Sequence, residues 1–324
     1  MQEILKVKNL TICFKHNNRE TIAVNNISFN LAKAQVLAIA GESGSGKTLT
    51  ALSILNLIDY PGYIKAGEII YNNMNLLKLS QKQIEKIRGK EIAIIFQEPS
   101  MAYDHFFTIG EQFYEILKHN LKIKNRKEAK DIALQWLKRV GLSNAELIYN
   151  SYPFQLSGGM QQRVMMAMAL SCNPSILIAD EPTSSLDVIT QNAILKTLSL
   201  LKDEINLSII LITHDFGIIA QFATHVVIMY RGRILEAALK DELFDNPLHP
   251  YTKYLLINIA DFKAAPLWKH NYVENKFFAK HFYEQLCPFI HKCSSIRKEC
   301  ELSLPSANYV NNTHMVMCWQ YNQN

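Results

Sequence analysis

Residues 41–48 read GESGSGKT, two glycines framing a short polar stretch and then a lysine and a threonine. A run of this type after a strand and before a helix is built to hold phosphate. Its backbone N–H groups can turn toward phosphate oxygens, and the helix N-terminus adds positive potential. In that frame Gly41, Glu42, Ser43, Gly44, Ser45 and Gly46 form the cradle. Lys47 reaches the β- and γ-phosphates, Thr48 offers a hydroxyl to Mg²⁺, and Leu49 follows in the helix. A second chemical cluster is ILIADEP at 176–182. It sets Asp180 at the end of an apolar run, where a carboxylate can hold a Mg²⁺ shell, and Glu181 beside it. Glu181 is placed to act as base toward a water attacking the γ-phosphate, a role contributing about 10²- to 10⁴-fold in rate. A third is LSGGMQQR at 156–163, where Ser157, Gly158 and Gly159 open a helix far downstream of the first glycine loop.

These clusters need elements to carry them. QVLAIA at 35–40, SILIAD at 175–180 and SIILIT at 208–213 are short apolar runs ending in polar residues, the pattern of buried strands. TLTALSILNLI after the loop has helical spacing through Leu52, Leu55 and Ile58, and Ile194, Leu198 and Leu201 mark an amphipathic helix between two of the strands. Strands alternating with helices predict a parallel α/β sheet with ligands at the carboxyl ends of its strands. KVKNLTICF, ETIAVNNISFNLA and GEIIYNN (67–73) predict a side sheet of alternating strands. From about 98 to 160 the pattern is helical, an inserted subdomain. Its clearest member is KEAKDIALQWLKRVGL, with apolar positions Ile132, Leu134, Trp136 and Leu137 and a cap at Gly141. Two prolines in NPLHPYT (246–252) suggest a boundary, giving domains at 1–245 and 246–324.

The 324 residues are 48% hydrophobic and 19% charged, enough for a large core and a smaller appendage. No apolar run reaches the roughly 18 residues of a membrane span, and the N-terminus lacks the apolar core of a secretory signal. The net charge of +5 is spread along the chain and selects no partner.

The ordered set GESGSGKT, Gln97 in IIFQEP, LSGGM, ILIADEP, SSLD (184–187) and His214 in LITHD resembles the nucleotide-binding subunit of ABC (ATP-binding cassette) transporters over about residues 5–240. That resemblance implies a phosphate-loop NTPase core with an antiparallel side sheet, an inserted helical subdomain and ATP with Mg²⁺ as cofactors. It implies that Gln97 contacts Mg²⁺ and the attacking water, that His214 holds the γ-phosphate and orients Glu181, and that Phe14 stacks on adenine. Ser157 to Gly159 would cap ATP held by a second, head-to-tail cassette, with Asp187 in the loop between the two. The stretch SMAYDH after Gln97 departs from the EPMTSLNP-like pattern with which peptide-transporting members face their permease.

NPLHPYTKYLL and the tail resemble the oligopeptide and dipeptide importer branch. Cys287, Cys293, Cys300 and Cys318 are separated by 5, 6 and 17 residues. Similar tails in that branch bind a [4Fe–4S] cluster; zinc or unligated thiols are the alternatives for four cysteines. His291 and His314 are read as spare ligands or surface residues, and Cys13 and Cys172 as small core residues. The resemblance implies a second ATPase subunit, two membrane permeases and an extracytoplasmic binding protein as partners, with no nucleic acid. It places the chain on the cytoplasmic face of the inner membrane. The rivals are a nickel or small-solute importer subunit and a soluble, non-transport ABC ATPase; the latter would carry coiled-coil insertions, zinc modules or a second cassette.

Overall fold

The computed structural model describes residues 2–17, 19–184, 186–257 and 285–322. The chain opens with strands β1 (Glu3–His16), β2 (Arg19–Ala32) and β3 (Val36–Ala40), then helix α1 (Lys47–Ile54). Strands β4 (Gly62–Tyr71) and β5 (Met74–Asn75), helix α2 (Gln81–Glu85) and strand β6 (Ile92–Ile95) follow. Next come helices α3 (Pro99–Ala102), α4 (Ile109–Leu121), α5 (Arg126–Arg139), α6 (Ala145–Tyr149) and α7 (Gly158–Leu170). Strand β7 (Ile176–Asp180), helix α8 (Val188–Ile205), strand β8 (Ser208–Thr213), helix α9 (Phe216–Phe222) and strands β9 (His225–Tyr230) and β10 (Arg233–Leu239) continue the chain. It closes with helices α10 (Lys240–Asp245) and α11 (Pro250–Ile257) and short strands β11 (Asn308–Tyr309) and β12 (Met315–Val316).

Two compact units result. The first comprises Met1–Ile4, Leu31–Gln35 and Asn72–Ile212. In it β6, β7 and β8 run parallel, Ile95 beside Ala179 and Ala179 beside Leu211. Every residue of β7 and β8 is buried, as strands covered on both faces must be. The helical region lies here. Helix α4 starts in a capping box between Thr108 and Glu111, and α5 starts on the Asn125 side chain. The buried face of α5 is Ala129, Ala133, Trp136 and Leu137, not the predicted set: Ile132 and Leu134 are half-buried. Alanine reads as weakly apolar in a sequence, yet it is what lets α5 sit closely on α4 and α7. Gly141 does end the helix, at φ 85°, with its N–H on Lys138 O (2.9 Å) and the Leu142 N–H on Leu137 O (3.0 Å).

The second unit comprises Leu5–Asn30, Val36–Tyr71 and Thr213–Asn324. The predicted side sheet is present: β1 lies between β2 and β4, antiparallel to β4 with Leu5 opposite Tyr71. Within this unit the strands β11, β12, β10, β9 and β3 lie side by side in that order. Strand β3 runs parallel to β9, and β9 turns back into β10. The tail adds β12, Val316 opposite Glu236 and Met315 opposite Ala237. Helix α1 stops at Ile54, short of the predicted Ile58, because Asn56 takes φ 50° and the Leu57 N–H returns to Leu52 O at 2.9 Å. Among the described residues no helix is long and apolar enough to cross a membrane.

Candidate nucleotide-binding site

In the second unit, wholly buried β3 delivers the chain into Gly41. Gly41, Gly44 and Gly46 have φ of 149°, 77° and 98°, a backbone path that side-chain-bearing residues rarely take. At Gly41 a Cβ would lie 2.0 Å from the backbone oxygen of Met229, so only glycine fits. Helix α1 then begins at Lys47, with Gly46 at the N-cap and no side-chain cap on its first amides. Lys47 is buried, and its Nζ donates to Gly41 O (2.8 Å) and Glu42 O (3.0 Å). Ser45 Oγ is buried with no hydrogen-bond partner among the described residues. A loop with glycine-enforced curvature, an uncapped helix start, a lysine and an orphan hydroxyl fits a phosphate chain. Ser43, Gly44 and Thr48 are exposed, and Glu42, Gly46 and Leu49 are half-buried. Phe14 is a half-buried ring on β1 whose edge approaches Gly62; a Cβ at Gly62 would meet it at 2.9 Å. His214 follows β8 with its side chain exposed, and Asp215 caps α9 by accepting the Gly217 N–H at 2.7 Å.

The carboxylates belong to the first unit. Asp180 is buried at the end of β7. Glu181 leaves the strand at φ 44°, an unusual conformation for glutamate, and its N–H bonds Ile212 O at 2.9 Å. Parallel pairing of β6 with β7 brings Gln97 alongside, and Gln97 Nε2 donates to Glu181 Oε2 at 3.2 Å. Two residues distant in sequence are thus joined at one polar pair.

The LSGG segment is also here. Ser157 caps α7, its hydroxyl accepting the Met160 N–H at 3.4 Å. Gly158 is open, its nearest neighbour for a Cβ being Leu186 at 3.9 Å, whereas a Cβ at Gly159 would meet Thr190 Cγ2 at 2.9 Å. One of the two glycines therefore serves packing of α7 on α8 within the chain. Asp187 caps α8, accepting N–H bonds from Ile189 and Thr190 (3.0 Å each) and the Thr190 hydroxyl (2.7 Å). These bonds hold its carboxyl below the usual range.

The tail differs from expectation. His291 and His314 are buried, not surface residues. His314 Nε2 lies 2.7 Å from Glu236 Oε1 on β10, and Glu236 is completely buried. Burial pushes the thiols up, Cys287 to about 12 and Cys318 to about 11, with Cys293 also raised; the neighbouring cysteine sulfurs add to the shift. Cys287 Sγ is 4.0 Å from His249 Nε2, Cys293 Sγ accepts the Ser295 N–H, and Cys300 Sγ accepts the Arg297 N–H. Among the described residues no three His, Cys, Asp or Glu side chains are grouped to hold a metal ion, so this arrangement lends no support to the expected iron–sulfur or zinc group. Sequence reading missed Glu236, His249 and Tyr251. The available signal was an acid inside the apolar strand RILEAAL and the histidine and tyrosine flanking Pro250.

The family model described as ABC transporter matches residues 24–184, and the one described as the C-terminal region of oligopeptide/dipeptide transporters matches 235–300. The oligopeptide transport ATP-binding protein AppD of Bacillus subtilis is 39% identical, covering 100% of this chain and 98% of its own. The dipeptide transport ATP-binding protein DppD of the same organism is 37% identical over 100% and 96%. Among solved structures, the dimeric ATP-binding cassette MJ0796 in a post-hydrolysis state bound to ADP and Pi superposes with TM-score 0.66 at 29% identity, over 73% of this chain and 99% of that one. A loop shaped for phosphate, a strand-end carboxylate pair and full-length similarity converge: the chain belongs to the ABC transporter ATP-binding proteins, in their oligopeptide and dipeptide branch.

Proposed function

We propose that this chain binds ATP and Mg²⁺ through residues 41–49 and Asp180, hydrolyses ATP with Glu181 as base, and drives peptide uptake through a separate membrane permease. The observation that carries the reading is the Gln97 to Glu181 hydrogen bond at 3.2 Å, which supports two polar groups acting on one water. Lys47, now on loop carbonyls, would turn to the β- and γ-phosphates. Thr48 and Asp180 would hold Mg²⁺, which neutralises phosphate charge. His214 would orient Glu181 and hold the γ-phosphate, and Phe14 would stack on adenine. Most of the rate enhancement then comes from positioning and fixed charge.

Ser157 and Gly158 would meet ATP bound to a second cassette. Gly158 is open enough for such an approach, and Val188 and Ile189 beside Asp187 expose apolar side chains (70% and 83%) suited to a docking face. Two permeases and an extracytoplasmic binding protein complete the assembly on the cytoplasmic face of the membrane, as the relatives' transport roles suggest. No step of the cycle is assigned to an iron–sulfur or zinc group. Glu181→Gln in the full chain is the test: ATP binding with turnover abolished supports the assignment, and retained turnover rejects it.

A further inference from the structure

Helix α11 stands on a buried polar knot. Glu236 accepts the Leu248 N–H (2.8 Å) and the His249 N–H (2.9 Å) and faces His314. His249 Nδ1 accepts the Tyr251 N–H at 3.0 Å. Burial depresses His249 to about 3, so it remains a neutral acceptor. The Tyr251 amide in the first turn of α11, and the two amides just ahead of the helix, are thereby held by side chains rather than water.

Tyr251 is fixed by this arrangement. It is wholly buried, its ring 4.5 Å from Tyr230 and 5.2 Å from Phe289 between centroids, and its hydroxyl accepts the N–H of Glu42 at 2.9 Å. The carbonyl of that same peptide unit is Gly41 O, the acceptor of Lys47. One peptide plane of the phosphate loop is therefore gripped on its N–H side by the C-terminal extension and on its oxygen side by the lysine. When Lys47 turns to a phosphate, only the tyrosine grip stays.

We infer that Tyr251 is a positioning residue for ATP, holding the loop in its phosphate-ready shape and linking the packing of the C-terminal extension to nucleotide affinity. The inference rests on the reading of residues 41–49 as the ATP site and adds to it a residue outside every motif of that site. The physical basis is preorganisation: a loop already held in its bound shape loses less freedom on binding.

The test uses the full chain and its Tyr251→Phe variant, which keeps the ring and removes the hydroxyl. ATP is titrated against a fluorescent ATP analogue, and ATPase kinetics are measured in parallel. Loss of one ordinary hydrogen bond predicts affinity weaker by about fivefold, a matching rise in KM and kcat within about twofold. A residue serving only fold stability would lower the active fraction, and so kcat, with KM unmoved; unchanged KM and affinity overturn the inference. Amide hydrogen exchange on the unmodified chain gives a second measurement independent of any variant: slow exchange at Glu42 supports the grip, and exchange at the open-loop rate overturns it. Failure of the unmodified chain to bind ATP would instead defeat the site reading itself.

Discussion

The strand ends after β3 and β7 and the cysteine-bearing tail all carry chemically capable residues, yet only at the strand ends does regular backbone set where each of them stands. At β3 and β7 the backbone decides the geometry: the loop path is fixed by glycine dihedrals, and Glu181 meets Gln97 because neighbouring parallel strands are in register. In the tail, residues 285–322 form turns, two short 3-10 helices and two two-residue strands, with the four cysteines spread among them. Reactive residues become a site when regular structure sets their relative positions; otherwise burial sets their state, and here it makes thiols rather than thiolates.

The widest separation between the two regions should be kinetic. Glu181→Gln is expected to lower ATP turnover by about 10²- to 10⁴-fold with nucleotide binding kept, measured by phosphate release and titration. Next, alkylation of Cys287 in the folded chain at pH 8 should be slower than that of an ordinary thiol by roughly three orders of magnitude, since a pKa near 12 leaves almost no thiolate. Rapid mass-spectrometric labelling of Cys287 would place the tail among reactive sites and erase the contrast.

Legibility followed the same divide. GESGSGKT, the acid pair after β7, the Gly141 stop and the side sheet are local patterns, and each lies where its neighbours in sequence put it. The face of α5 was misjudged because Ala129 and Ala133 do their packing by being small. Wholly hidden were contacts joining distant segments: Tyr251 with Glu42, His314 with Glu236, Gly159 with Thr190. Each depends on sheet register or helix packing, which no single stretch encodes.

Smaller effects sharpen the comparison from the tail side. His249 falls from 6.5 in the unfolded chain to about 3 in the fold, so between those values the unfolded state binds the additional proton. Its contribution makes stability rise with pH in that window, by up to about 1.4 kcal/mol per unit. Denaturant melts of His249→Asn should show a flatter slope there. In the α7 region, Gly159→Ala gains helix propensity of about 1 kcal/mol but crowds Thr190. Stability should change by less than about 1 kcal/mol alone and rise when Thr190→Ser removes the opposing methyl, as read by thermal melts.

Strand β12 also has a consequence for the integrity of the chain. By lying along β10, with tiny β11 outermost, it shields a row of backbone groups that would otherwise recruit strands from other molecules. Proteolytic clipping ahead of residue 308 would strip away this guard, and a shortened product should clump at concentrations where the intact polypeptide stays dispersed.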